Sequence, residues 1–164
     1  MLLSIEVSMY CPRFVVFDVT QGKPRIVFTS CNNRRREANR SRRYRTSEGA
    51  VLEEIENKAT FILGAFQIEH VVWTMRKLGI VNKERSYMAL GIMLTALHKA
   101  GIPMPHEMIG SRIRLHLAGD SKASAFAVTE AVNKLLPELP EEDKLYSVPI
   151  ASGLAWYRQN NLIP

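Results

Sequence analysis

The sequence has little cysteine: only Cys11 and Cys31 in 164 residues. Two thiols twenty positions apart make neither a disulfide framework nor a zinc site, and the expected compartment is a reducing cytoplasm. It has no apolar run long enough to cross a bilayer, and its first residues, MLLSIEVSMY, lack the basic start of a secretory signal. There is no glycine-rich phosphate loop and no spacing that suggests a Ser-His-Asp triad. The four histidines, His70, His98, His106 and His116, are scattered, so a transition-metal cluster is not expected. Trp73 and Trp156 read as core residues.

What the sequence does have is ordinary globular composition, 46% hydrophobic and 23% charged, sized for one domain over residues 1–164. Its formal charge of +6 is concentrated: residues 34–45, RRREANRSRRYR, set seven arginines against one glutamate. That segment carries the whole excess, and the remainder is neutral. Arginines crowded this closely repel one another in water and suit phosphate, so a polyanion partner is expected over a solvated charge run. The signal does not choose between DNA and RNA.

Periodicity then orders the chain. Strands are expected over Leu2–Ser8, Arg13–Val19 and Arg25–Thr29, the last two joined by a Thr20-Gln21-Gly22-Lys23 turn. A helix capped by Thr46 or Ser47 buries Val51, Ile55, Ala59, Ile62, Leu63 and Phe66. A strand over Ile68–Thr74, parallel to the first, precedes a long helix from about Lys83 to Ala100. Tyr87, Leu90, Gly91, Leu94 and Leu97 line one face of it, with Gly91 permitting close approach. After a mixed stretch come a helix over about Ser124–Leu136 and a last one capped by Ser147, with Pro149 in its first turn. The order implies a mixed sheet carrying helices.

The residues that could carry chemistry are acids at element ends: Glu6, Glu69, Asp120 and the run Glu141, Glu142 and Asp143. Phosphodiester cleavage by two metal ions needs several such carboxylates converging on Mg²⁺. Taken singly, each is better read as a solvated surface acid.

Several segments together resemble the RuvC-type Holliday junction resolvases of the RNase H-like superfamily. They are LLSIEVS with RFVVFDV, IEHVVWT with MALGIMLTALHKAGIPM, RIRLHLAGDSKASAFAVTEAVNKLL, and SVPIASGLAWYRQ. The resemblance implies an RNase H-like α/β fold, a mixed five-stranded sheet with helices on both faces. It also implies a homodimer on DNA, with the long helix near Tyr87–Leu97 as a candidate dimer face, and a phage or mobile-element origin would suit the chain's size. Where the family carries metal-binding acids, this sequence offers Glu6 for the first-strand aspartate, Thr74 for the fourth-strand glutamate, and Leu145 and Val148 for the terminal pair. Asp120 and Ala125 fall where relatives often carry lysine, leaving Lys122 as the phosphate contact.

The expectation is therefore a RuvC-like protein that binds branched or duplex DNA with weak or no nuclease activity. Arg34, Arg35, Arg36, Arg40, Arg42, Arg43, Arg45 and Lys122 would meet the phosphates. The enzymatic alternative is a Mg²⁺-dependent junction endonuclease built on Glu6, Glu69 and Asp143, with Glu6 as metal ligand. A further alternative is an RNA-binding or structural protein on the same scaffold.

Overall fold

The structure is a computed structural model that describes residues 1–8, 12–20, 22–31, 48–75, 80–140 and 147–164. The arginine segment and residues 141–146 lie outside the described residues. Strands β1 (Leu2–Val7), β2 (Arg13–Thr20), β3 (Lys23–Cys31), β4 (His70–Met75) and β5 (His106–Glu107) form one sheet in the order β3-β2-β1-β4-β5. The helices are α1 (Glu48–Ala65), α2 (Ile80–Lys99), α3 (Gly110–Ala118), α4 (Ala125–Leu135) and α5 (Ser147–Gln159). The mixed sheet and the helices on both its faces are as expected.

The first three strands are an antiparallel meander. Gly22 closes its second hairpin at φ 72°, a left-handed conformation that a two-residue turn requires. A bulge between Val16 and Phe17 leaves Val27 on β3 as the extra residue. The chain then crosses through α1 and returns as β4, parallel to β1 with Leu2 opposite His70 and Glu6 opposite Thr74.

Alternation along the central strands divides the core in two. Leu3, Ile5 and Val7 of β1, with Phe14, Val16 and Val71, meet Val51, Ile55 and Ile62 of α1 and Ala89, Leu90, Met93 and Leu97 of α2. Leu2, Val15, Phe17 and Val72 face the other way, against Ile113 and Leu117 of α3, Val132 of α4 and Ile150, Leu154 and Ala155 of α5. α5 is buried continuously from Pro149 to Tyr157. It lies close because Gly153 has no side chain: a Cβ there would stand 2.5 Å from Phe17 Cε2.

The stretch left unassigned contains β5, the fifth strand of the expected sheet, and α3. Two expectations need correction. On α2 the inward face is Ser86, Ala89, Leu90, Met93, Ala96 and Leu97; Tyr87 is 52% exposed, and nothing stands within 4 Å of a Cβ built on Gly91, so no close approach uses it. The difference is a rotation of the stripe around the helix, since Leu94 is only half-buried and Ala89, Met93 and Ala96 take the core positions. Finally, Ser147 is the first residue of α5 itself. No helix among the described residues is long and apolar enough to cross a membrane.

Candidate functional site

Even-numbered positions of β1 point toward α5. Leu2 belongs to that core, and Ser4 is fully buried with its Oγ donating to the Pro149 carbonyl at 2.7 Å and lying 2.7 Å from Ser152 Oγ. This hydroxyl pair fastens the first turns of α5 to the middle of β1. One pleat further along the strand, toward the start of α5, is Glu6.

Glu6 is 2% exposed. Its strand neighbours are fixed by register: Arg13 of β2 on one side and Thr74 of β4 on the other. Residues directly opposite across a sheet share a face, so the row Arg13–Glu6–Thr74 points one way. Arg13 Nη1 donates to Glu6 Oε2 at 2.6 Å, and Thr74 is 5% exposed. A charge-assisted bond this short inside the protein balances the carboxylate's charge and offsets its desolvation.

A divalent metal does not fit the described residues here. Mg²⁺ is bound by oxygen ligands, usually with carboxylates among them. Glu6 gives one carboxylate already engaged by a guanidinium, Thr74 a neutral hydroxyl, and Val148, half-buried in the first turn of α5, an aliphatic chain. Among the described residues no three His, Cys, Asp or Glu side chains converge on a common point. The positive charge beside Glu6 is supplied by Arg13. Asp143, Glu141, Glu142 and Leu145 are outside the described residues.

Glu69 is not brought to Glu6. It precedes β4, with its backbone N–H on the Met1 carbonyl, its carboxylate 3.7 Å from the terminal ammonium and its side chain 72% exposed. Five strand residues separate that end of the sheet from Glu6, about 16 Å. The expectation of a joint Glu6–Glu69 site is corrected by this geometry: the acid belongs to the opposite rim. Asp120 and Lys122 share an exposed turn between α3 and α4, where Asp120 Oδ1 accepts the Lys122 backbone N–H at 2.8 Å. Ala125 opens α4.

The sequence reading missed Arg13, whose signal was available: a cation opening a strong strand, set by the short connection opposite an acid near the end of the first. It also missed a cavity of about 330 Å³ lined by His106, Glu107, Arg112, Trp156 and Gln159, among others. The His70 and His106 rings lie 4.8 and 6.2 Å from the Trp156 indole, which is buried as expected. Beside it, burial, and secondarily the Asp18 and Glu69 carboxylates, hold the Tyr157 hydroxyl well above the ordinary phenol range. Cys31 is half-buried at the end of β3, and Cys11 is outside the described residues.

No family model matches the sequence, and no curated protein is significantly similar to it. Solved structures are. The chain superposes on Thermus thermophilus RuvC with a TM-score of 0.77 at 19% identity, covering 98% of this chain and 96% of that one. The fold is that of RuvC. T. thermophilus RuvC in complex with a Holliday junction substrate gives a TM-score of 0.79 at 18% identity, with 97% and 95% covered. At this identity it is the architecture that is shared, from β1 through α5, and the RuvC-like sheet is what sets Glu6 beside Thr74 and beneath the start of α5.

Proposed function

We propose that the protein is a RuvC-like DNA-binding protein that recognises branched or duplex DNA and has weak or no metal-dependent cleavage. The observation that carries this reading is the buried Glu6–Arg13 pair, flanked by Thr74, at the centre of the strand row. Hydrolysis of a phosphodiester needs charge stabilised on the attacking and leaving oxygens. A carboxylate tied to a guanidinium, next to a threonine, recruits no cation to do that.

Binding is supported separately. T. thermophilus RuvC, whose fold covers nearly the whole chain, has been solved with a Holliday junction substrate. The arginines at 34–36, 40, 42, 43 and 45 supply the phosphate contacts in this reading, assisted by Lys122. Two copies act together, and the outer side of α2, where Tyr87 and Met88 are 52% and 47% exposed, offers the dimer contact.

The test incubates the protein with a labelled four-way junction and a matched linear duplex in Mg²⁺, Mn²⁺ or EDTA, reading binding and cleavage from the same samples. Junction binding without metal-dependent cuts is expected. Symmetric nicks that vanish in EDTA would overturn the reading and return Glu6 and Asp143 to a catalytic role, with Glu6 as metal ligand and Mg²⁺ as cofactor.

A further inference from the structure

Among the described aromatic side chains Phe126 is conspicuous for its position. It is 71% exposed and Phe61 60%, whereas Phe14 and Phe17 are fully buried; only Phe126 adjoins a basic turn. It stands in the first turn of α4, immediately after the turn that carries Lys122. Exposure alone asks for no partner; what sets this ring apart is that its face is presented beside a basic turn.

The surroundings narrow what that partner is. Between Gly110 and Phe126 the sequence holds Arg112, Arg114 and Lys122 against one acid, Asp120. That acid is turned inward on its own loop, accepting the Lys122 N–H. The loop is also braced. Gly119 reverses the chain at φ 76°, Arg114 Nε donates to the Ser121 carbonyl at 2.8 Å, the Ala123 N–H donates to the Asp120 carbonyl, and Ser124 Oγ caps α4 by accepting the Ala127 N–H. Phe126 and Lys122 are thus offered from a segment already ordered, at little further entropic cost on binding.

We infer that Phe126 is a stacking platform for an unpaired nucleobase, with Lys122 as the contact for the adjoining phosphate. An aromatic face on a basic surface is how proteins hold single-stranded nucleotides: the ring covers the base's π-face whatever its sequence, and the cation neutralises the backbone. Paired bases in a duplex are already stacked on both sides and give the ring nothing. The side chain therefore selects strand exchange points, flaps or gaps over continuous duplex. This deepens the DNA-binding reading above and rests on it.

The test measures binding by fluorescence anisotropy to a continuous duplex, a fully paired four-way junction and a junction with unpaired thymines at the crossover. Phe126→Ala is expected to weaken binding to the unpaired substrate roughly ten-fold. Duplex affinity stays as in the wild type, and Phe126→Tyr restores the loss. Lys122→Ala weakens all three and lowers the salt slope by about one phosphate's worth. With 5-iodouracil at the unpaired site, irradiation attaches the DNA to the peptide containing Phe126.

Equal affinities of Phe126→Ala and wild type for all three substrates overturn the inference and leave the DNA-binding reading standing. A wild-type protein that binds none of them ends both. If Phe126→Ala leaves DNA binding intact but abolishes self-association in sedimentation, the side chain is a protein contact and the inference fails.

Discussion

Glu6 and Arg13 are the pair on which the functional reading turns, and their energetics can be tested one residue at a time. Removing one partner of a buried ion pair strands the other, at a cost of roughly 3–5 kcal/mol. Arg13→Ala is expected to lose about 3 kcal/mol in urea denaturation, because Glu6 is 3% exposed in its side chain while Arg13, at 18%, is reached by some water. Replacing both, Glu6→Leu with Arg13→Met, is expected to recover most of that loss, since apolar substitutes of similar size avoid desolvation. Losses that simply add would reject the pair as the reason either residue is there. Ser4→Ala is a milder case. It breaks the contact with Pro149 and Ser152 and is expected to cost about 1 kcal/mol in the same assay.

At the scale of elements, two glycines give opposite forecasts for one substitution. Gly153→Ala drives a methyl into the Phe17 ring, 2.5 Å away, inside a packed core, and is expected to destabilise by about 1–3 kcal/mol. Gly91→Ala meets open space on an exposed helix position and is expected to stabilise by about 0.5–1 kcal/mol through helix propensity. Thermal denaturation of the two variants side by side checks both signs. The same helices show what the sequence could and could not disclose. Val51, Ile55, Ala59 and Ile62 repeat at helical spacing, so the inward face of α1 was legible. On α2, alanines, methionines and leucines alternate so densely that Tyr87 and Gly91 read as part of a stripe from which packing turns them away. α3 buries only Ile113 and Leu117, and its Arg-Ile-Arg-Leu-His-Leu alternation serves strand and helix alike. β5 is two residues long and exists only because Val72 and Trp73 lie beside it. Register was more accessible: the parallel β1–β4 pair was expected, and it brings Thr74 opposite Glu6. Arg13 was hidden in plain view: it stands seven positions after Glu6, but its role shows only once the β1–β2 register sets the two opposite each other.

For the whole molecule the informative quantity is charge. If each of the seven arginines of residues 34–45 neutralises one phosphate, the logarithm of the binding constant should fall against the logarithm of salt with a slope of about −6. Anisotropy titrations over a range of potassium chloride concentrations measure it. Exchanging those arginines for glutamine should flatten the slope and leave the melting temperature of the fold nearly unchanged. A slope near zero in the unaltered protein would remove nucleic acid as its partner. The arginine segment was the plainest signal in the sequence because charge density needs no fold to be read. The two faces of the sheet, by contrast, become visible only once Leu3 and Leu2 are seen to point opposite ways.

The Glu6–Arg13 contact also constrains which neighbouring sequences the chain can reach. A route toward a metal centre must dispose of the guanidinium and add carboxylates around Glu6. Taking Arg13 away first removes the guanidinium bonded to a buried carboxylate, a destabilising change. Introducing an acid at Thr74 first sets a second carboxylate beside the buried Glu6, with the guanidinium of Arg13 on the far side of Glu6 and so less able to hold the added charge. Each opening move is penalised and only the combined change is tolerated. On the proposed reading the pair works as a ratchet: no single substitution turns this row of side chains into a metal centre.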